Sequence, residues 1–159
     1  MAGLALGGRV RVGSETRTLS GQAATLEYVN GFFPHQLAWS SAALLGRPAA
    51  YLSDLGCLGA DVGENAAWPL GADMPRALGA ASFALPEPAR PGRGPWSIAS
   101  GDGRVRLGFT PRAVRAQGRT LPTLMGSSHA WVFGTFDGDV DGAAVAGQPG
   151  LRGARDLRW

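Results

Sequence analysis

The side chains able to do acid, base or nucleophilic chemistry are few. His35 and His129 are the only imidazoles and Cys57 the only thiol. Two distant histidines and one cysteine make no ligand set for a metal, so no metal and no cofactor is expected. Ser128 precedes His129, but neighbouring residues of a strand point to opposite faces, which separates the two as a nucleophile pair. Glu64-Asn65, just before Ala66-Ala67-Trp68, is the more interesting polar pair. A carboxyl entering an apolar barrel would favour its protonated form and could shuttle a proton, with His35 as the other candidate acid. The competing reading of Glu64-Asn65 is a turn that hydrogen-bonds its own backbone. Tyr28, beside Glu27, reads as a corner whose hydroxyl ties down a loop or as part of a binding site. Of the five tryptophans, Trp39, Trp68 and Trp131 would, if they face inward, line a pocket for one apolar molecule together with Tyr28, Asn65 and His129; otherwise they are core. Gly92-Arg93-Gly94 and Gly101-Asp102-Gly103 are turn formers, since no phosphate-loop spacing and no helix follows them.

Strands must position these groups. No apolar pattern at i, i+3, i+4 and i+7 persists over three turns, whereas short alternating runs separated by Gly, Asp and Pro recur throughout. Arg9 to Val12 and Thr16 to Leu19, joined at Gly13-Ser14, read as an opening hairpin. Gln36 to Leu45 reads as a strand buried on both faces. Gly46-Arg47-Pro48 turns it back into Ala49 to Leu55, with Pro48 at the edge because it has no N–H to donate to a ladder. Ala66 to Trp68 and Ala81 to Leu85 are strand-like, and Pro86 to Pro95 is a surface loop. Trp96 to Ala99 pairs through Gly101-Asp102-Gly103 with Arg104 to Phe109. That register puts Val105, Leu107 and Phe109 inside and Arg104 and Arg106 outside; a slip of one residue would bury both arginines. Ser128 to Phe136 is a long strand, Asp137-Gly138 and Asp141-Gly142 are turn signals, and Asp156 to Trp159 closes the chain. About ten to twelve short strands without crossover helices predict an all-β, antiparallel up-and-down barrel or strongly curved sheet.

A chain of 159 residues is the size of one domain, so residues 1–159 are expected to form a single β domain. The 25 glycines and 11 prolines predict many turns, and 45% hydrophobic residues supply a core. All 15 basic residues are arginine, which a GC-rich bacterial coding sequence explains more simply than any need for charge. The net charge is +3 and the isoelectric point about 10.0, but the arginines are scattered from Arg9 to Arg158, so no nucleic-acid partner is expected. Cys57 reads as a small buried apolar residue. The Met1 to Gly8 run has no basic flank and is too short for a signal segment, and nothing approaches the length of a membrane span; a cytoplasmic location is the expectation.

Several local patterns, in order, resemble the carboxy-terminal half of domain-of-unknown-function family 2804. They are Glu27-Tyr28-Val29-Asn30-Gly31-Phe32-Phe33-Pro34 followed by Trp39, then Glu64-Asn65-Ala66-Ala67-Trp68, Pro95-Trp96-Ser97-Ile98, Leu107-Gly108-Phe109-Thr110-Pro111, Phe133-Gly134-Thr135-Phe136-Asp137-Gly138 and the terminal Arg158-Trp159. The chain departs from the pattern at His35, Leu37 and Ser41, where the family strand carries a basic residue, a Thr and a second Trp. The resemblance implies a lipocalin-like barrel similar to domains of certain carotenoid hydratases and terpenoid-modifying proteins. It also implies a longer family protein with a related amino-terminal half. Three functions follow as expectations: a binding module for a lipid- or terpenoid-like ligand, a hydratase- or isomerase-type enzyme, or a structural domain that pairs with a second β domain or with itself.

Overall fold

The computed structural model describes residues 2–26, 36–55, 65–84, 96–121 and 125–158. Every regular element among them is a strand, and no helix is long and apolar enough to cross a membrane. Tyr28, His35, Cys57, Glu64, Trp159 and the loop read at Pro86 to Pro95 lie outside the described residues.

The chain forms two compact units, Met1–Gly31 and Phe32–Trp159. The first is the expected hairpin, β1 (Ala2–Val12) against β2 (Glu15–Leu26), with Val12 facing Glu15 across the Gly13-Ser14 turn. Its arginine row and its valine row are both exposed, Val12 at 70%.

The second unit contains β3 (Gln36–Leu44), β4 (Ala49–Leu55), β5 (Ala66–Trp68), β6 (Arg76–Ala77), β7 (Ala81–Ala84), β8 (Trp96–Ser100), β9 (Val105–Leu121), β10 (Met125–Val140) and β11 (Ala143–Arg158). All pairings are antiparallel, in the order β6-β5-β4-β3-β11-β10-β9-β8-β7. The meander returns on itself where β11 pairs with β3, so the two free edges, β6 and β7, are neighbours in the chain. Their link is tied to both sides: Leu78 N–H donates to the Asn65 carbonyl at 2.9 Å, Gly79 N–H to Asp102 Oδ2 at 3.0 Å, and Gly101 N–H to the Ala80 carbonyl at 2.7 Å. The sheet therefore curls into a half-barrel.

Curling brings Ala42, Leu44, Ala50, Leu52 and Ala67 from one side against Trp96, Ile98, Val105, Leu107, Phe109, Val132, Phe136 and Val140 from the other. The β8–β9 register is the expected one, with Trp96 opposite Phe109 and Ile98 opposite Leu107, and Arg106 on the solvent side. Phe109 stacks on Phe136 at 4.6 Å and on Trp96 at 5.5 Å between ring centroids, and all three rings are fully buried. Large rings fit because two neighbours are bare backbone: a Cβ at Gly134 would meet the Phe109 ring, and one at Gly150 the Phe136 ring. Each such burial stabilises by about 1.5–3 kcal/mol. As expected, Ser41 to Leu44 is buried on both faces.

Two details differ from the sequence reading. Strands β9 and β11 are 17 and 16 residues long, not short, and the long strand read at Ser128 to Phe136 extends over 16 residues as β10. Pro111 and Gly134 sit at a register shift between β9 and β10. Asp137-Gly138 is likewise a shift within the β10–β11 ladder rather than a turn. The turn is Asp141-Gly142, where φ values of 53° and 84° match the pair of left-handed residues that a two-residue hairpin requires.

Candidate ligand-binding face

Alternation along β10 divides its residues between two faces. Val132, Phe136 and Val140 belong to the core, whereas His129, Trp131 and Phe133 lie on the opposite face. The same parity puts Trp39 opposite Ala42 and Leu44 on β3, and Trp68 opposite Ala67 on β5. Trp39, Trp68 and Trp131 thus face away from the filled interior; the inward tryptophan is Trp96.

Register assembles the outer face in rows. Trp39 on β3 lies in one row with Arg155 of β11, His129 of β10 and Gln117 of β9, and the next row is Ser41, Gly153, Trp131 and Arg115. The return of β11 to β3 is what brings Trp39 within two strands of His129. Trp131 lies over Gly153: a Cβ there would come within 2.8 Å of the indole Cζ3 and of Ser41 Oγ. His129 meets Trp131 edge-on, with centroids 5.1 Å apart and planes at 70°. Its Nε2 is buried and has no hydrogen-bond partner.

Two adjoining depressions open here. Gln117, Gly118, Ser127 and His129 line one of about 420 Å³. Arg115, Gln117, His129 and Trp131 line another of about 200 Å³. Ser127 shares the face of His129, whereas Ser128 is exposed on the other, so strand alternation does separate Ser128 from His129.

Charge is unevenly spread around this face. Residues 103–136 contain no Asp or Glu, while Arg112 and Arg115 are exposed on β9 without an ion pair to any described residue. The nearest carboxylates in sequence are engaged at the far end of β10. Asp137 accepts from Gly147 N–H at 2.8 Å, Asp139 from Gly142 N–H at 2.9 Å, and Asp141 from Arg76 at 2.7 Å.

The remaining candidates are elsewhere. Asn65 Oδ1 accepts Ser53 N–H at 2.7 Å, which fastens β5 to β4, and Trp68 pairs with Ala49 four strands from β10. Sequence reading missed Arg115, Gln117 and Ser127, which become neighbours of His129 and Trp131 only through the β9–β10 register. It also missed Arg152, a buried cation whose guanidinium lies 5.3 Å from the Trp96 ring centroid and donates to Ser40 Oγ at 3.4 Å. Among the described residues no three His, Cys, Asp or Glu side chains cluster as metal ligands.

The model of a family described as a domain of unknown function, DUF2804, matches residues 1–151. The match extends to residue 1, ahead of the patterns from about residue 20 onward that carried the resemblance. Comparison with curated proteins and with solved structures gave no match.

Proposed function

The chain belongs to the DUF2804 family, whose description names no activity, and we propose that it is a binding module for an apolar small molecule of lipid- or terpenoid-like kind. The molecule sits on the outer face of β9 and β10, on the indole of Trp131. The observation that carries this is the division of aromatic residues between the two faces. Trp96, Phe109 and Phe136 fill the interior, while Trp131 and His129 line a depression of about 200 Å³ that adjoins, through His129 and Gln117, one of about 420 Å³. An indole held between bare backbone and the His129 ring offers apolar area at little entropic cost, because Gly153 and His129 restrict its orientation.

The test is a titration of the intact protein with a neutral apolar probe, N-phenyl-1-naphthylamine, followed by probe fluorescence. Saturable binding is expected. Trp131→Ala should weaken it about tenfold or more, the equivalent of losing one buried aromatic contact. A Trp131→Ala protein that stays folded and binds as tightly as the parent would overturn the proposed location.

A further inference from the structure

We infer that the ligand of this face is an amphipath with a single carboxylate head, its apolar part on Trp131 and its head among Arg115, His129 and Gln117. The inference rests on the binding reading above and names the chemistry that the same site selects. Every polar group that the described residues bring to the depressions can donate: the Arg115 guanidinium, the Gln117 amide, the Ser127 hydroxyl and the His129 ring nitrogen. None is a carboxylate, and none occurs within residues 103–136. Convergent donors, one of them a cation, with no carboxylate among the described residues beside them fit a ligand that brings acceptors and negative charge.

The second observation is the His129 Nε2 itself. A buried polar nitrogen without a partner costs stability in the free protein, and a turn of the ring that brings Nε2 to an accepting oxygen in the depression would remove that cost. His129 lines both depressions, so one head group placed there is within reach of Arg115 on one side and of Gln117 and Ser127 on the other. Among the described side chains that line the depressions Arg115 supplies the guanidinium, and beside one indole it suits one negative charge on an apolar body.

The experiment compares three ligands that share one chain and differ in the head: myristic acid, 1-tetradecanol and tetradecyl phosphate, each titrated calorimetrically into the intact protein. The acid is expected to bind about tenfold more tightly than the alcohol, the worth of one charge-assisted hydrogen bond. Its advantage should shrink in high salt, because Arg115 is exposed. Arg115→Gln and His129→Phe should each reduce the ratio of acid to alcohol affinity, Arg115→Gln most at low salt.

Equal affinity for acid and alcohol would overturn the carboxylate head yet leave the apolar site standing. Tighter binding of the phosphate than of the acid would overturn it in favour of a phosphate monoester. Displacement of the acid by equimolar acetate would assign the site to a small free carboxylate and overturn the amphipath. If none of the three binds and the neutral probe also fails, the site and its head group fall together.

Discussion

Replacing Gly153 by alanine tests whether the Trp131 indole lies where the outer face requires it. The new Cβ would stand 2.8 Å from the indole Cζ3, 3.2 Å from Cε3 and 2.8 Å from Ser41 Oγ. Carbon atoms in ordinary contact are about 3.5–4.0 Å apart, so the ring would have to lift by roughly 1 Å. The Ser41 hydroxyl can turn to another staggered position. The indole is braced by the edge of His129 and cannot move as freely. Overpacking of this kind costs about 1–3 kcal/mol. For a domain of this size each kcal/mol lowers the melting temperature by about 2–4 °C, so a fall of about 2–12 °C is expected.

The same substitution in a Trp131→Ala background should act in the opposite direction. With the ring gone the methyl has room, and Gly153 has no positive φ to oppose an alanine. Reduced freedom of the unfolded chain then stabilises by about 0.4–1 kcal/mol. The sign reversal implies a coupling of about 1.4–4 kcal/mol between the two positions. Denaturant unfolding of the parent, the two single variants and the double variant, followed by far-ultraviolet circular dichroism, measures it. An effect of Gly153→Ala that is the same in both backgrounds would refute the placement of Trp131 over Gly153.

Two further predictions concern the scaffold. Phe109→Ala removes a fully buried ring stacked between Trp96 and Phe136 and should cost about 3–5 kcal/mol in chemical denaturation; a loss below about 1 kcal/mol would mean that the interior is not filled as described. The Asp102 carboxylate accepts from Ser100 O–H at 2.6 Å, Arg104 N–H at 3.2 Å and Gly79 N–H at 3.0 Å, and the Ser100 bond above all holds it below its ordinary range. Because the folded value is the lower one, its contribution is complete above the usual carboxylate value of about 3.9 and is lost as pH falls through the folded value. The unfolding midpoint of the parent should therefore fall more steeply with acid below about pH 4 than that of Asp102→Asn. Parallel profiles would remove Asp102 from the linkage.

Turn chemistry and alternation made much of the scaffold legible. The β8–β9 register was readable because a slip would bury Arg104 and Arg106, and the β3–β4 hairpin because Gly46-Arg47-Pro48 separates two apolar runs. The Asp141-Gly142 turn was also readable, but Asp137-Gly138, of identical composition, proved to be a register shift inside a ladder. The two cannot be told apart locally, because a hairpin turn and a bulge both call for glycine at positive φ, and only the partner strand decides which one forms. The length of β9 escaped for the same reason: Pro111 interrupts the alternation that ends at Phe109, yet the partner strand β10 carries the ladder past it.

The site divides along similar lines. That His129 and Trp131 share a face was determined by their spacing of two residues in a strand. Which face is interior was not, because both faces of β3 and β10 carry apolar residues, and alternation labels faces without saying which one the curling sheet encloses. The pairing of β11 with β3 settled that by bringing Ala42 and Val132 into one core and leaving Trp39 and Trp131 together on the outside. Sequence alone determined the strands and their alternation, because these depend on neighbours along the chain. The gathering of Arg115, Gln117, His129 and Trp131 was decided by tertiary structure, because it depends on register between long strands, which local residue preferences do not encode.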